Sequence, residues 1–197
     1  LFSNPLSDGG QFTGVSNLIM KYGAVPSEAM PETFSSNNTS QMAMLLKLKL
    51  REDGLRLRQE WDGAAEKAAS LSSRKRAAAL EVAAGRLAQM KTDMLSEIYR
   101  MLVLCLGEPP VEFEWTRCDK DGRPVDTRKY TPAGFYDEYI GENLEDNYVM
   151  IMNDPCREYG KVYEIDYDRH VYDGHNWLYV NLPVERIKEI AIASIKD

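Results

Sequence analysis

The sequence predicts an α+β fold with a large all-helical insertion, and three observations support this fold class. A glycine pair near the start of the chain leads into a short apolar helix. A proline-free stretch, rich in Ala, Leu, Lys, Arg, Met and Glu, then runs from Gln41 to Leu106. From Val111 the hydrophobic period changes to two, the spacing that is typical of strands. We therefore expect three segments, which cover residues 1–34, 35–110 and 111–197.

The first segment is predicted to contain one helix over residues 11–22. Its apolar positions lie three or four residues apart, as on one helix face, and they are Phe12, Val15, Leu18, Ile19 and Tyr22. Gly23 suits the C-terminal end of this helix, and Pro26 cannot continue it. The polar run over residues 35–40 is predicted to be a turn rich in capping residues.

The second segment is predicted to form two or three antiparallel helices. Apolar residues recur mostly at steps of three or four from Leu80 to Cys105. Gly54 and the run Ser70–Ser73 are expected to interrupt the helical stretch, which Gly107 and Pro109-Pro110 end. The methionines of this segment are best interpreted as core filler, because their flexible side chains fill irregular gaps.

The third segment alternates strands and short helices. Val111, Phe113 and Trp115 alternate with acidic residues, and Asp119–Gly122 is a plausible hairpin turn. Thr131-Pro132 suits the start of a short helix. The remaining predicted elements are that helix, which extends through Ile140, strands over 148–152, 162–167 and 177–180, and an amphipathic helix over 182–196.

Composition is ordinary for a soluble protein, with 28% charged and 44% hydrophobic residues. No apolar run approaches the roughly 20 residues that span a membrane. The three cysteines do not form a disulfide framework, which favours a reducing compartment. The net charge of −7 is uneven, because residues 47–91 carry eleven Lys or Arg and six Asp or Glu, a balance of +5. Such a stretch indicates either a nucleic-acid or subunit contact or a solvated helix face.

Candidate catalytic or metal-binding groups are few. The only imidazoles are His170 and His175, which do not form the i, i+4 pair of a helical metal site. Cys105, Cys118 and Cys156 lack a sequence context that would activate a thiol, and we interpret them as structural. We therefore predict no cofactor, no metal site and no catalytic residue within these 197 residues.

The best functional candidates are Gly9 and Gly10. A peptide that pairs its backbone with a protein, as an added strand does, needs close approach, and a side chain on the protein would hold it away. A plain glycine turn before a helix is the structural alternative.

Several phrases in order carry a family resemblance. They are Asp8-Gly9-Gly10-Gln11-Phe12, Tyr22–Pro26, Leu106–Pro110, Thr131–Tyr136, Asn153-Asp154-Pro155 and Trp177–Pro183. Together they resemble the bleomycin hydrolase and aminopeptidase C branch of the papain-like cysteine peptidases. Phe12 stands where the family has Trp, and the basic stretch Ser72–Gly85 matches nothing in the family pattern.

The resemblance implies a papain-like fold and a thiol aminopeptidase that trims short peptides. Within it, Asp8 and Gly9 would shape the turn, and Gly10 would offer backbone contacts to the substrate. The catalytic Cys would precede Leu1, and the His and Asn would follow Asp197. It also implies a cytosolic, usually hexameric enzyme whose helical insertion builds the oligomer. The alternative is a non-enzymatic module that binds nucleic acid or partner subunits through its basic helices.

Overall fold

The structure, a computed structural model, describes residues 3–6, 9–166, 169 and 171–196. These residues form two compact units, one of Met30–Pro109 with the described part of Leu1–Asp8, the other of Gly9–Ala29 and Pro110–Asp197. The elements in chain order are α1 (Phe12–Tyr22), α2 (Phe34–Asn37), α3 (Thr39–Ala69), α4 (Ser73–Leu106), β1 (Phe113–Cys118), β2 (Pro124–Tyr130), α5 (Pro132–Tyr139), β3 (Met150–Met152), β4 (Val162–Ile165), β5 (Trp177–Asn181) and α6 (Val184–Lys196). This mixture of helices and sheets confirms the predicted class.

The first unit is built on a long antiparallel hairpin of α3 and α4. Lys49 Nζ lies 2.6 Å from Glu97 Oε2, and Arg86 Nη2 lies 3.2 Å from Glu60 Oε2. The residue numbers of the two pairs add to the same total, so the helices run in opposite directions without a change of register. None of the helices in the described part of the chain is long and apolar enough to cross a membrane.

Two predictions about this unit are wrong. Gly54 does not interrupt α3, because helix-forming neighbours and packing against α4 outweigh a penalty of about 1 kcal/mol for glycine. The stretch over residues 35–40 is not a turn throughout, since it includes Ser35–Asn37 of α2 and the first two residues of α3. The N-terminus of α2 is fixed by a capping box: Ser36 N donates to Thr33 Oγ1 at 3.2 Å and Thr33 N to Ser36 Oγ at 2.8 Å. The predicted break at Ser70–Ser73 is confirmed, because α3 ends at Ala69 and α4 begins at Ser73.

In the second unit, the hairpin of β1 and β2 packs on α5 through aromatic side chains. The register places Phe113 opposite Tyr130 and Trp115 opposite Arg128. The N-terminus of α5 is capped by Thr131, whose Oγ1 accepts a hydrogen bond from Gly134 N at 3.1 Å. Ring centroids 4.9–6.5 Å apart join the members of this cluster, which are Phe113, Trp115, Tyr130, Phe135 and Tyr139.

A second sheet has the strand order β3-β5-β4, with β3 parallel and β4 antiparallel to β5. The prediction of strands at these three places is confirmed. Asn181, at the end of β5, is fully buried, and its side-chain amide forms hydrogen bonds with the turn that follows β3. Tyr167, which the prediction included in β4, lies outside the described residues.

Close approach fixes the end of α1. Gly23 has a φ of +78°, and a Cβ built on it would lie 2.3 Å from the backbone of Pro132. Ala24 N donates to Pro132 O at 3.1 Å, so the chain leaving α1 is hydrogen-bonded to the first turn of α5. The predicted stop at Gly23 is confirmed, and the close approach of Pro132 adds a second reason why this residue must be glycine.

Candidate functional site

Gly9 and Gly10 form an exposed backbone segment that leads directly into α1. Gly9 has a φ of +95°, a backbone conformation that residues other than glycine rarely adopt. No heavy atom among the described residues, chain neighbours aside, lies within 4 Å of a Cβ built on Gly9. A side chain on Gly9 would therefore meet no described neighbour, and the need for glycine here is its backbone conformation. Asp8, the third predicted site residue, lies outside the described residues.

An apolar stripe on a helix is normally its buried side, but in α1 the small and polar side is buried instead. Gly14, Ser16 and Asn17 are buried, and Ser16 and Asn17 are each only 2% exposed. The apolar side of the helix, in contrast, is open, with Val15 exposed by 52%. The helix therefore packs on this unit through its small and polar side.

The polar side of α1 holds two loops in place. Asn17 Nδ2 donates to Glu145 Oε1 at 2.8 Å, and Lys21 Nζ lies 2.5 Å from Asp173 Oδ1. The hydrogen bond from Lys21 lowers the pKa of Asp173, and Asp173 in turn raises the pKa of Lys21. Gly174 is needed here because a Cβ on it would lie 2.7 Å from Asn17 Oδ1.

A cavity of about 430 Å³ opens between these loops and α1. Phe12 and Tyr148 form one side, with ring centroids 5.4 Å apart. Glu145 and His175 form another, with 3.4 Å between Oε2 and Nε2. The lining residues are Phe12, Thr13, Ser16, Asn17, Leu144, Glu145, Asp146, Tyr148, Val149, Met150, His175, Asn176 and Leu178. The cavity thus combines an aromatic wall with a carboxylate.

The remaining candidates for chemistry stay separate. Cys105 is half-buried, while Cys118 and Cys156 are exposed, and all three are free thiols. The hydrogen bond of Cys118 is to Thr116 O on its own strand. Within the described ranges, no group of three or more His, Cys, Asp and Glu side chains could hold a metal ion. His170 lies outside those ranges.

Comparison with known proteins identifies the family. The model of the Peptidase C1-like family matches residues 1–197. The chain belongs to the Peptidase C1-like family. This membership confirms the resemblance that the glycine pair and the later phrases carry, and with it the papain-like class of the fold.

Relatives within the family are peptidases. The chain is similar to bleomycin hydrolase of Mus musculus, at 34% identity over 201 residues, and to aminopeptidase W of Lactobacillus delbrueckii subsp. lactis, at 36% over 191 residues. It is also similar to the crystal structure of PepW from a Lactobacillus strain, with a TM-score of 0.79 and 35% identity over 99% of this chain. The chain spans about 40% of the length of each of these relatives.

Sequence reasoning did not find the residues of the cavity. Asn17 and Glu145 are 128 positions apart, and neither belongs to a motif with defined spacing. No sequence motif connects His175 with Glu145, although the two side chains lie side by side in the structure. A signal in the sequence is the presence of Ser16 and Asn17 in the middle of a helix with an apolar stripe, since polar residues that become buried need partners.

Proposed function

We propose that this chain is part of a cysteine aminopeptidase of the bleomycin hydrolase type, which hydrolyses the N-terminal residues of short peptides. The family match over residues 1–197 carries the proposal. The names of the relatives support it further, since they include bleomycin hydrolases and aminopeptidases. The protein would work in the cytoplasm, where its three free thiols would stay reduced.

The catalytic Cys, His and Asn of this enzyme would lie in parts of the protein other than these 197 residues. A thiol peptidase needs a thiolate activated by an imidazole and an oxyanion donor. The exposed apolar side of α1 supports further packing, because a helix normally buries its apolar stripe. Val15, Leu18 and Tyr22 would contact that additional chain.

Gly10 would present its backbone to the substrate, and Asp8 and Gly9 would shape the turn that exposes it. A peptide bound here would pair with the protein as an added strand. The exposed backbone and the open space beside Gly9 support this role.

The test is Gly10→Val in the full-length protein, with Gly85→Val on the exposed surface of α4 as the matched control. The branched side chain would displace the substrate backbone by about an ångström, which can lower kcat/KM roughly 100-fold. The control would leave kcat/KM unchanged. Equal kcat/KM for both folded variants would reject the role of Gly10.

The helical hairpin would mediate self-association, as a hexamer according to the family resemblance. Exposed apolar side chains on α3 and α4 support this, since large exposed patches indicate contact surfaces. They include Leu45, Leu48, Leu55, Leu95 and Tyr99.

A non-enzymatic role in nucleic-acid binding is the second candidate, and the +5 balance of residues 47–91 favours it. Several of these charges already have partners, however. Arg76 donates to the carbonyl oxygens of Ala68 and Ala69 at the end of α3, and Lys49 is paired with Glu97. The basic side chains that are still available would support only non-specific contacts with nucleic-acid phosphates.

Titration of the full-length protein with labelled DNA tests this second candidate. If about five basic side chains met phosphates, log K would fall against log salt with a slope of roughly −4 to −5. Binding should be lost when Arg74, Lys75 and Arg76 are all changed to Glu. Binding that ignores salt would contradict the electrostatic mechanism.

A further inference from the structure

The cavity beside α1 has hydrogen-bond donors that are already used within the protein. Ser16 Oγ donates to Thr13 O at 2.9 Å, and Thr13 Oγ1 points to Met150 Sδ at 3.5 Å. Asn17 Nδ2 donates to Glu145, and Asn176 Nδ2 donates to Glu164 Oε1 at 2.6 Å. A ligand in this cavity therefore meets few donors among these side chains.

Acceptors, in contrast, are in excess. Both amides point their nitrogen at a carboxylate, and a carboxylate only accepts, so the orientation of each amide is fixed chemically. The oxygens Asn17 Oδ1 and Asn176 Oδ1 are buried and have no hydrogen-bond donor among the described residues. Both asparagines belong to residues that line the cavity, so its wall contains acceptor oxygens whose hydrogen-bonding capacity is unused.

The carboxylates of the wall add negative charge. Glu145 and Asp146 line the cavity, and none of the described residues that line it is Lys or Arg. Asp146 Oδ2 accepts from Asn143 Nδ2 at 2.7 Å. Glu145 uses Oε1 for Asn17, while its Oε2 contacts, among the described residues, His175 Nε2 alone, at 3.4 Å. Glu145 Oε2 is therefore the available anchor for a cation.

We propose that this cavity binds a primary alkylammonium group. The ammonium would contact Glu145 Oε2 in place of His175, and the alkyl stem would pack against Phe12 and Tyr148. About 430 Å³ is enough for an amino-acid-sized group, and aromatic rings favour a cation or its methylene neighbours. The same chemistry is offered by the amino terminus of a peptide and by a lysine side chain. The inference concerns binding alone and holds whether or not the protein is a peptidase.

Calorimetric titration of the full-length protein, pretreated with iodoacetamide to prevent turnover, tests the proposal. Three probes separate the possibilities: N-acetyl-lysine methylamide, leucine amide and the uncharged N-acetyl-norleucine methylamide. We expect saturable binding of at least one amine and none of the uncharged probe. Binding of the lysine probe alone would identify a side-chain site, and binding of leucine amide alone would identify a site for an amino terminus.

Two variants and one control test the anchor. Glu145→Gln should weaken amine binding at least about tenfold, because it removes a charge-assisted hydrogen bond. Glu158→Gln, outside the cavity lining, should leave binding unchanged. His175→Ala changes an exposed side chain and should tighten binding, since the imidazole competes for Glu145 Oε2.

Three results would overturn the proposal. They are equal binding of the charged and uncharged probes, absence of saturable amine binding, and weaker binding in His175→Ala. Failure of the peptidase proposal would leave these binding results unaffected, because the thiols are blocked throughout.

Discussion

At the scale of single residues, the side chain of Asn181 joins β5 to the turn that follows β3. It is fully buried, and its Oδ1 accepts from Asp154 N at 2.8 Å. Its Nδ2 donates to Asp154 O at 2.9 Å and lies within 3.3 Å of the carbonyl oxygens of Arg157 and Glu158. The turn after β3 therefore takes its shape from an amide on β5, because backbone groups buried without a partner are costly.

We expect Asn181→Ala to lower the free energy of unfolding by about 2 kcal/mol or more, since it leaves buried polar groups unpaired. Asn147→Ala is the control, because Asn147 is exposed and its amide donates to Glu142 Oε1 at 2.6 Å. It should change the free energy by less than about 0.5 kcal/mol. Urea unfolding measures both, and equal losses would contradict the special role of Asn181.

Gly23 and Gly85 should respond to alanine with opposite signs. A Cβ on Gly23 would meet the Pro132 backbone at 2.3 Å in a left-handed conformation, so Gly23→Ala should destabilise by roughly 2 kcal/mol or more. Gly85 lies within α4 with no described atom near its Cβ, so Gly85→Ala should stabilise by up to about 1 kcal/mol. Thermal unfolding compares them, and a neutral Gly23→Ala would mean that α1 and α5 readily move apart.

At the scale of elements, the joint between α3 and α4 contains a buried carboxylate. Asp53 is 4% exposed and lies 3.2 Å from Lys49 Nζ, which also contacts Glu97 on α4. The hydrogen bond to Glu97 raises the pKa of Lys49, and Lys49 lowers the pKa of Glu97 below its ordinary value of 4.5. One ammonium group therefore neutralises charge inside the hairpin and links its two helices.

Lys49→Met should destabilise the hairpin far more than Glu97→Gln, because it leaves Asp53 buried without its cation. The effect of Glu97→Gln should depend on pH. A carboxyl whose pKa is lowered on folding contributes stability above its unfolded pKa and loses it as the pH falls through its folded pKa. The difference from the wild type should therefore be present at pH 7 and shrink as the pH falls below 4.5 through the lowered pKa of Glu97.

Urea unfolding midpoints between pH 3 and pH 8 measure this difference. Glu52→Gln is the control, since Glu52 lies 3.9 Å from Lys49 on the exposed side of α3. A difference for Glu97→Gln that stays constant with pH would show that its ion pair with Lys49 does not contribute.

At the scale of the whole molecule, the 197 residues on their own should have no thiol-peptidase activity. Removing a nucleophile or its base costs on the order of 10⁶-fold in comparable triads, and we place all three catalytic groups outside this chain. The assay is hydrolysis of an aminoacyl fluorogenic substrate, with and without iodoacetamide. Iodoacetamide-sensitive turnover would show that one of Cys105, Cys118 and Cys156 is the nucleophile.

Deletion of residues 41–105, replaced by a short linker, should convert the full-length protein to a monomer. The apolar side chains on α3 and α4 that remain exposed would then be missing from the subunit contact. Light scattering gives the molar mass, and activity towards peptides reports whether the rest of the protein folds. A folded oligomer after deletion would place the interface elsewhere.

The positions of helices and strands could be predicted from the sequence more accurately than which of their faces are buried. Caps and breakers such as Thr131, Gly23 and Ser70–Ser73 act locally, so their effects could be predicted. The predicted break at Gly54 is wrong because packing of α3 outweighs the low helix propensity of one glycine. The buried face of α1 and the cavity could not be predicted, since Asn17 acquires its role only through Glu145, which is far away in the chain.

The constant register of the α3–α4 hairpin means that the residue number gives the distance along the hairpin axis. Positions on the two helices whose numbers add to the same total as Lys49 and Glu97 lie at the same height along the hairpin, and each step towards Ser72 moves this height by about 1.5 Å. Seven residues added to each helix beside the turn would lengthen the arm by about 10 Å and keep every existing pair opposed. Seven added to one helix alone would mismatch every pair on one side of the insertion. Changes of length in α3 therefore have to be matched in α4, and the turn at Ser70–Ser72 is the place where both can grow together.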